Sequence, residues 1–126
     1  HGGETPEMIS HLRQAISPKT HIWKSLIAGS ATHQKLIDTY YPVTERLLFD
    51  GSNPGSGESY PYQWLSDVNV PFMLAGGLSP ENITAAIRQL NPWGVDVSSG
   101  VEGPDGFKDS EKIQRLLQNV KEAVIL

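Results

Sequence analysis

Hydrophobic and polar positions along this chain follow two alternating rhythms. In TPEMISHLRQAIS the residues Met8, Ile9, Leu12, Ala15 and Ile16 fall on one helical face, with Thr5 as N-cap, Pro6 at the first helical position and Ser17-Pro18 as the stop. HIWKSLIAG (21–29) is short, apolar and bounded by Pro and Gly, which predicts a buried strand. ATHQKLIDTY (31–40) predicts a short helix, RLLFDG (46–51) a second strand, 61–68 a turn or helix, and VPFMLAGGL (70–78) a third strand. SPENITAAIRQL (79–90) follows as a helix with Ser79 as N-cap and Pro80 at the first position. WGVDVSSGV (93–101) is the fourth strand. SEKIQRLLQNVKEAV (110–124) closes the pattern, with Ile113, Leu116, Leu117, Val120 and Val124 at helical spacing.

Strands alternating with helices require crossovers, so the fold class is α/β with a parallel sheet. The 126 residues form one domain or part of one, with no linker or low-complexity segment. Two architectures fit: an open doubly wound sheet, or part of a (β/α)8 barrel. A complete barrel needs about 200 to 250 residues. The chain also opens on a helix, as though a strand before it were missing.

Composition narrows the chemistry. There are ten Lys+Arg against fourteen Asp+Glu, a net charge of −4, and no cysteine. That excludes a disulfide scaffold, a thiolate zinc site and a cysteine nucleophile from this chain. Basic residues are scattered, so no nucleic-acid footprint appears. No apolar run approaches the ~20 residues of a membrane span and no signal peptide is visible, which makes the cytosol the plain expectation. His11, His21 and His33 lack metal-ligand spacing and read as solvated or capping residues, and no metal site is expected. Trp23, Trp64 and Trp93 read as packing residues, with apolar surface but no basic groove beside them.

In parallel α/β architectures ligands meet the loops after the strands. Three features fall there: Asp50 after Leu47-Leu48-Phe49, Gly76-Gly77 after the third strand, and Ser98-Ser99-Gly100 after the fourth. The two glycine-bearing turns suit a phosphate bound through backbone N–H groups, helped by a helix starting just after Gly77. They also suit plain tight turns. Asp50 suits either a proton-transfer role or closure of the glycine-rich turn behind it.

These same residues carry a resemblance. LLFDG with PGSGES, LAGGLSPENI and PWGVDVSSGVEGPDGFKD are similar to the C-terminal half of the phosphoribosylanthranilate isomerase family, and HGGE resembles the end of that family's fourth strand. The resemblance implies the C-terminal half of a (β/α)8 TIM barrel, strands five to eight with helices four to eight, its N-terminal half absent. It further implies an isomerase of tryptophan biosynthesis, converting N-(5′-phosphoribosyl)anthranilate to 1-(2-carboxyphenylamino)-1-deoxyribulose 5-phosphate without metal or organic cofactor. Asp50 then matches the general acid. The general base is a cysteine of the first strand, which nothing here matches, so the fragment is expected to be inactive alone. Gly76, Gly77, Ser98, Ser99 and Gly100 match the phosphate loops.

Asp96 matches an aspartate facing the barrel mouth, where it would position the amine or a sugar hydroxyl; a buried Asp tying strands together is the alternative. His1 matches a histidine in the turn after the fourth strand. An acid with a carboxyl group's ordinary pKa of ~3.9 must sit in a partly desolvated mouth to hold its proton at neutral pH. Expected partners are a phosphorylated small molecule and either the missing half or a second copy. The other functional reading is a non-catalytic phosphate-binding module. Glu58 stands where many relatives carry lysine, and ESYPYQW is longer than the usual stretch.

Overall fold

The computed structural model describes residues 2–29, 33–51, 53 and 56–125. Helix α1 (Pro6–Ala15) starts where the capping signals place it: the Thr5 hydroxyl accepts from the Met8 amide at 3.2 Å. Strand β1 (Trp23–Ile27) leads into α2 (His33–Tyr40), β2 (Arg46–Asp50) and β3 (Phe72–Leu74), with a 3₁₀ turn over Tyr62–Leu65 between the last two. Helix α3 (Ile83–Leu90), the two-residue β4 (Gly94–Val95), a 3₁₀ turn at Ser99–Val101 and α4 (Ser110–Val124) complete the chain. The Asp109 carboxylate caps α4 by accepting from the Lys112 amide at 3.0 Å.

The four strands pair in parallel and their spatial order is β1-β2-β3-β4, the order of the sequence. A doubly wound sheet reverses its strand order partway, whereas this one winds in one direction, as barrel strands do. With crossovers of one hand, the helices collect on one face. There Leu26, Leu47, Phe49, Phe72 and Leu74 form a single core with Ile37, Ile83, Ile87, Leu116 and Ala123. Fully burying Leu47, Phe49, Leu74 or Ile83 contributes ~1.5–3 kcal/mol each.

The other face is open. Trp23 and Ile27 on β1 are 48% and 51% exposed, and Trp23 lines a groove with Ser25, Leu48, Met73, Val95 and Asp96. The expectation of a strand buried on both faces therefore fails for β1. Burial alternates along it instead, with Lys24 and Leu26 buried between exposed Trp23 and Ile27. That lysine is itself buried, satisfied by the Gly2 carbonyl at 2.8 Å and the Glu4 carboxylate at 3.1 Å.

Other expectations also change. Trp23 and Trp93, both largely exposed, pack against each other edge to face at 6.1 Å, with the Arg46 guanidinium 3.7 Å from the centre of the Trp93 ring. His33 is buried, not solvated: its ring nitrogens lie 2.7 Å from the Gly29 carbonyl and 2.8 Å from Asp67. Helix α3 is recorded from Ile83, and Ser79 is not its cap. The Asn82 side chain instead reaches back, accepting from the Ser79 amide at 2.8 Å. The outer helices α1 and α4 leave Met8, Leu12, Leu117 and Val124 exposed. Among the described residues no helix is long and apolar enough to cross a membrane.

Candidate functional site

Parallel pairing brings the carboxyl ends of β2, β3 and β4 to one rim, where a cleft of about 320 Å³ opens. Its walls unite Asp50, Gly76, Gly77, Asp96, Ser98 and Ser99, the candidates from three separate strand ends. Asp50 is half-buried, and its Oδ1 accepts from the Gly51 amide at 2.7 Å, which orients the carboxyl group at the end of β2. The Gly76-Gly77 turn lies directly against it: a Cβ on Gly76 would stand 2.9 Å from Asp50 Oδ1. Both glycines have positive φ, +96° and +66°, so this turn excludes other residues on conformational grounds as well.

Three placements refine the sequence reading. Asp96 is exposed at the rim rather than buried between strands. Gly100 stands behind the cleft, where a Cβ would overlap the Leu78 carbonyl oxygen; its smallness lets the turn after β4 close against the turn after β3. The free amides near Gly77 belong to the turn itself, because five residues separate it from the start of α3 at Ile83. His1 lies outside the described residues.

Sequence reasoning missed Tyr60 and Tyr62. The Tyr60 hydroxyl donates to the Ala75 carbonyl at 3.0 Å, and Tyr62 donates to the Gly76 carbonyl at 2.8 Å. Burial raises the pKa of both phenols, and in Tyr60 the nearby Tyr62 and Asp50 act in the same direction, so both hydroxyls keep their protons at neutral pH. The rings pack edge to face at 5.1 Å, and Trp64 stacks on Tyr60. The signal was present in the proline-punctuated YPYQW, whose aromatic density belongs to a packed loop rather than a solvated one. On the second turn Lys108 donates to the Ser98 carbonyl at 2.9 Å, the Ser98 hydroxyl at 3.1 Å and the Glu102 carboxylate at 2.7 Å.

Fold and cleft define the class: an α/β unit wound in one direction, with its polar cleft at the carboxyl ends of parallel strands, as in TIM-barrel-like enzymes. The family model "N-(5'phosphoribosyl)anthranilate (PRA) isomerase" matches residues 1–119, and the chain belongs to that family. Proteins named N-(5'-phosphoribosyl)anthranilate isomerase from Trichormus variabilis and Acetivibrio thermocellus are each 39% identical, over 95% and 98% of this chain and 60% of their own lengths. The crystal structure of phosphoribosyl anthranilate isomerase from Thermus thermophilus superposes with a TM-score of 0.81 at 30% identity, covering 97% of this chain and 58% of that one. The chain thus spans about 60% of the length of the curated relatives it matches.

Proposed function

We propose that residues 1–126 form the second half of a (β/α)8 barrel and that, joined to a first half, they isomerise N-(5′-phosphoribosyl)anthranilate to 1-(2-carboxyphenylamino)-1-deoxyribulose 5-phosphate in tryptophan biosynthesis. One observation carries this reading: Asp50 and the turns Gly76-Gly77 and Ser98-Ser99 share a single cleft. Opening the furanose ring needs a proton delivered to the ring oxygen, and removing the C2′ proton of the resulting Schiff base needs a separate base. Asp50 supplies the first proton. The turns hold the phosphate through N–H groups, and Asp96 and His1 position the amine or sugar hydroxyls. These are proton transfers, for which no cofactor is required.

The base is not in this chain, which has no cysteine, and loss of a positioned base typically costs ~10²–10⁴ in rate. A completing half supplies it. Three features support a covering partner, a first half or a second copy in its absence: the open face with Trp23 and Ile27 exposed, the sheet edges at β1 and β4, unpaired among the described residues, and the apolar residues exposed on the outer helices α1 and α4. The missing base also favours a second reading, a phosphate-binding module without turnover.

Mixing the chain with a polypeptide bearing the first four strands, while following loss of the substrate's anthranilate fluorescence, separates these readings. The expected result is no turnover by the chain alone, turnover by the mixture, and none when the chain carries Asp50→Asn. Phosphate binding without turnover in the mixture selects the binding module. Brisk turnover by the chain alone, or full activity with Asp50→Asn, overturns the assigned roles.

A further inference from the structure

Among the described residues lining the cleft none is cationic, while Asp50, Glu58 and Asp96 stand on its walls. A phosphate there depends on backbone amides, so the direction of each amide governs affinity. In a trans peptide the carbonyl of one residue and the N–H of the next lie in one plane and point opposite ways. Four such peptides flank the cleft, and a side chain tethers the carbonyl of each. Tyr60 holds Ala75 at 3.0 Å, Tyr62 holds Gly76 at 2.8 Å, Asn82 holds Gly77 at 2.9 Å and Lys108 holds Ser98 at 2.9 Å. The N–H groups on the opposite side of those peptides belong to Gly76, Gly77, Leu78 and Ser99, all lining the cleft.

The peptide between Gly76 and Gly77 is flanked by two glycines and so has the least intrinsic resistance to rotation. Its orientation depends most on its tether. Resting on the reading of the cleft as a phosphate site, we propose that Tyr62 is a positioning residue whose hydroxyl keeps the Gly77 N–H turned into the cleft and thereby sets affinity for the ligand's phosphate. Lys108 does the same for Ser99 on the second turn. Its ammonium is spent on Ser98 and Glu102, so it acts through the turn and not on the anion.

The test is titration of the ¹⁵N-labelled 126-residue chain with inorganic phosphate, following the amide resonances of Gly76, Gly77 and Ser99. Unaltered chain should show saturable shifts at all three. Tyr62→Phe, which deletes one oxygen, should bind phosphate about tenfold more weakly, the worth of one charge-assisted hydrogen bond, with the largest loss of response at Gly77. Lys121→Ala should bind as the unaltered chain does. A merely structural role for Tyr62 would lower the melting temperature and leave the dissociation constant, measured well below melting, where it was. Unchanged affinity in Tyr62→Phe therefore overturns the inference while the phosphate reading stands. Lys108→Met applies the same criterion to the second turn should the first variant fail to fold: loss centred on Ser99 supports tethering, and unchanged affinity overturns it. Amides of the unaltered chain that ignore phosphate overturn both readings together.

Discussion

Replacing Gly100 by alanine should damage this protein far more than its exposed neighbourhood suggests. Gly100 lies in the 3₁₀ turn after β4, and a Cβ there would overlap the Leu78 carbonyl oxygen while standing 3.0 Å from the Ser79 Cα. The obstruction is backbone, so no rotamer relieves it; the turns after β3 and β4 must part. Overpacking ordinarily costs ~1–3 kcal/mol, and a clash with main chain belongs at the upper end. With an unfolding entropy of ~2.1 cal/mol/K per residue, a chain of this length loses about 4 °C of melting temperature per kcal/mol. The expected drop is about 10 °C.

Two other glycines calibrate it. Gly106 has φ +80° and open space around its Cβ position, so Gly106→Ala costs only the left-handed conformation, ~1 kcal/mol or about 4 °C. Gly3 has neither constraint, and Gly3→Ala should be neutral or slightly stabilising through the unfolded chain. Calorimetric melting of the three variants gives the order. A Gly100→Ala protein that melts with Gly3→Ala would falsify the close approach of the two turns. Parting the turns also moves Ser99 away from Gly77, so phosphate affinity should fall in Gly100→Ala and hold in Gly106→Ala.

Glu58→Lys, which reverses a charge on the cleft wall, should tighten inorganic phosphate binding several-fold at low salt and less at high salt; an affinity that does not rise places Glu58 away from the anion. The Arg13 guanidinium and the Ile22 amide beside Glu45 lower its pKa to about 2, so the bond's contribution is complete above the ordinary carboxyl value near 4.5 and vanishes as pH falls toward 2. Urea midpoints should therefore decline across that interval, and less steeply in Glu45→Gln; parallel profiles for the two proteins would assign the acid sensitivity elsewhere. Light scattering of the isolated chain at high concentration should show self-association through the open face, weakened by Leu48→Glu, and a persistent monomer would mean that the exposed apolar face needs no cover.

Features set by neighbours along the chain were legible in the sequence. Thr5 and Pro6 start α1 because capping and a fixed φ act within one turn, and the alternation of periods reveals a parallel α/β fold because each element's rhythm is local. The grouping of the candidate residues was legible for a related reason: parallel winding places every strand end on one rim, so Asp50, Gly76-Gly77 and Ser98-Ser99 could be gathered into one cleft without knowing a distance.

Tertiary structure alone decided the rest. Whether Leu47 or Leu48 faces the core, and that Trp23 and Trp93 face outward, follows from which side the helices cover. His33 and Asp67 are 34 residues apart, and Tyr62 and Gly76 14 apart, so neither hydrogen bond leaves a periodic trace. Gly100 shows the limit most clearly. In sequence it is one more glycine of a phosphate-like turn, but its need to be small arises from the Leu78 carbonyl of a different loop, which only the folded sheet brings against it.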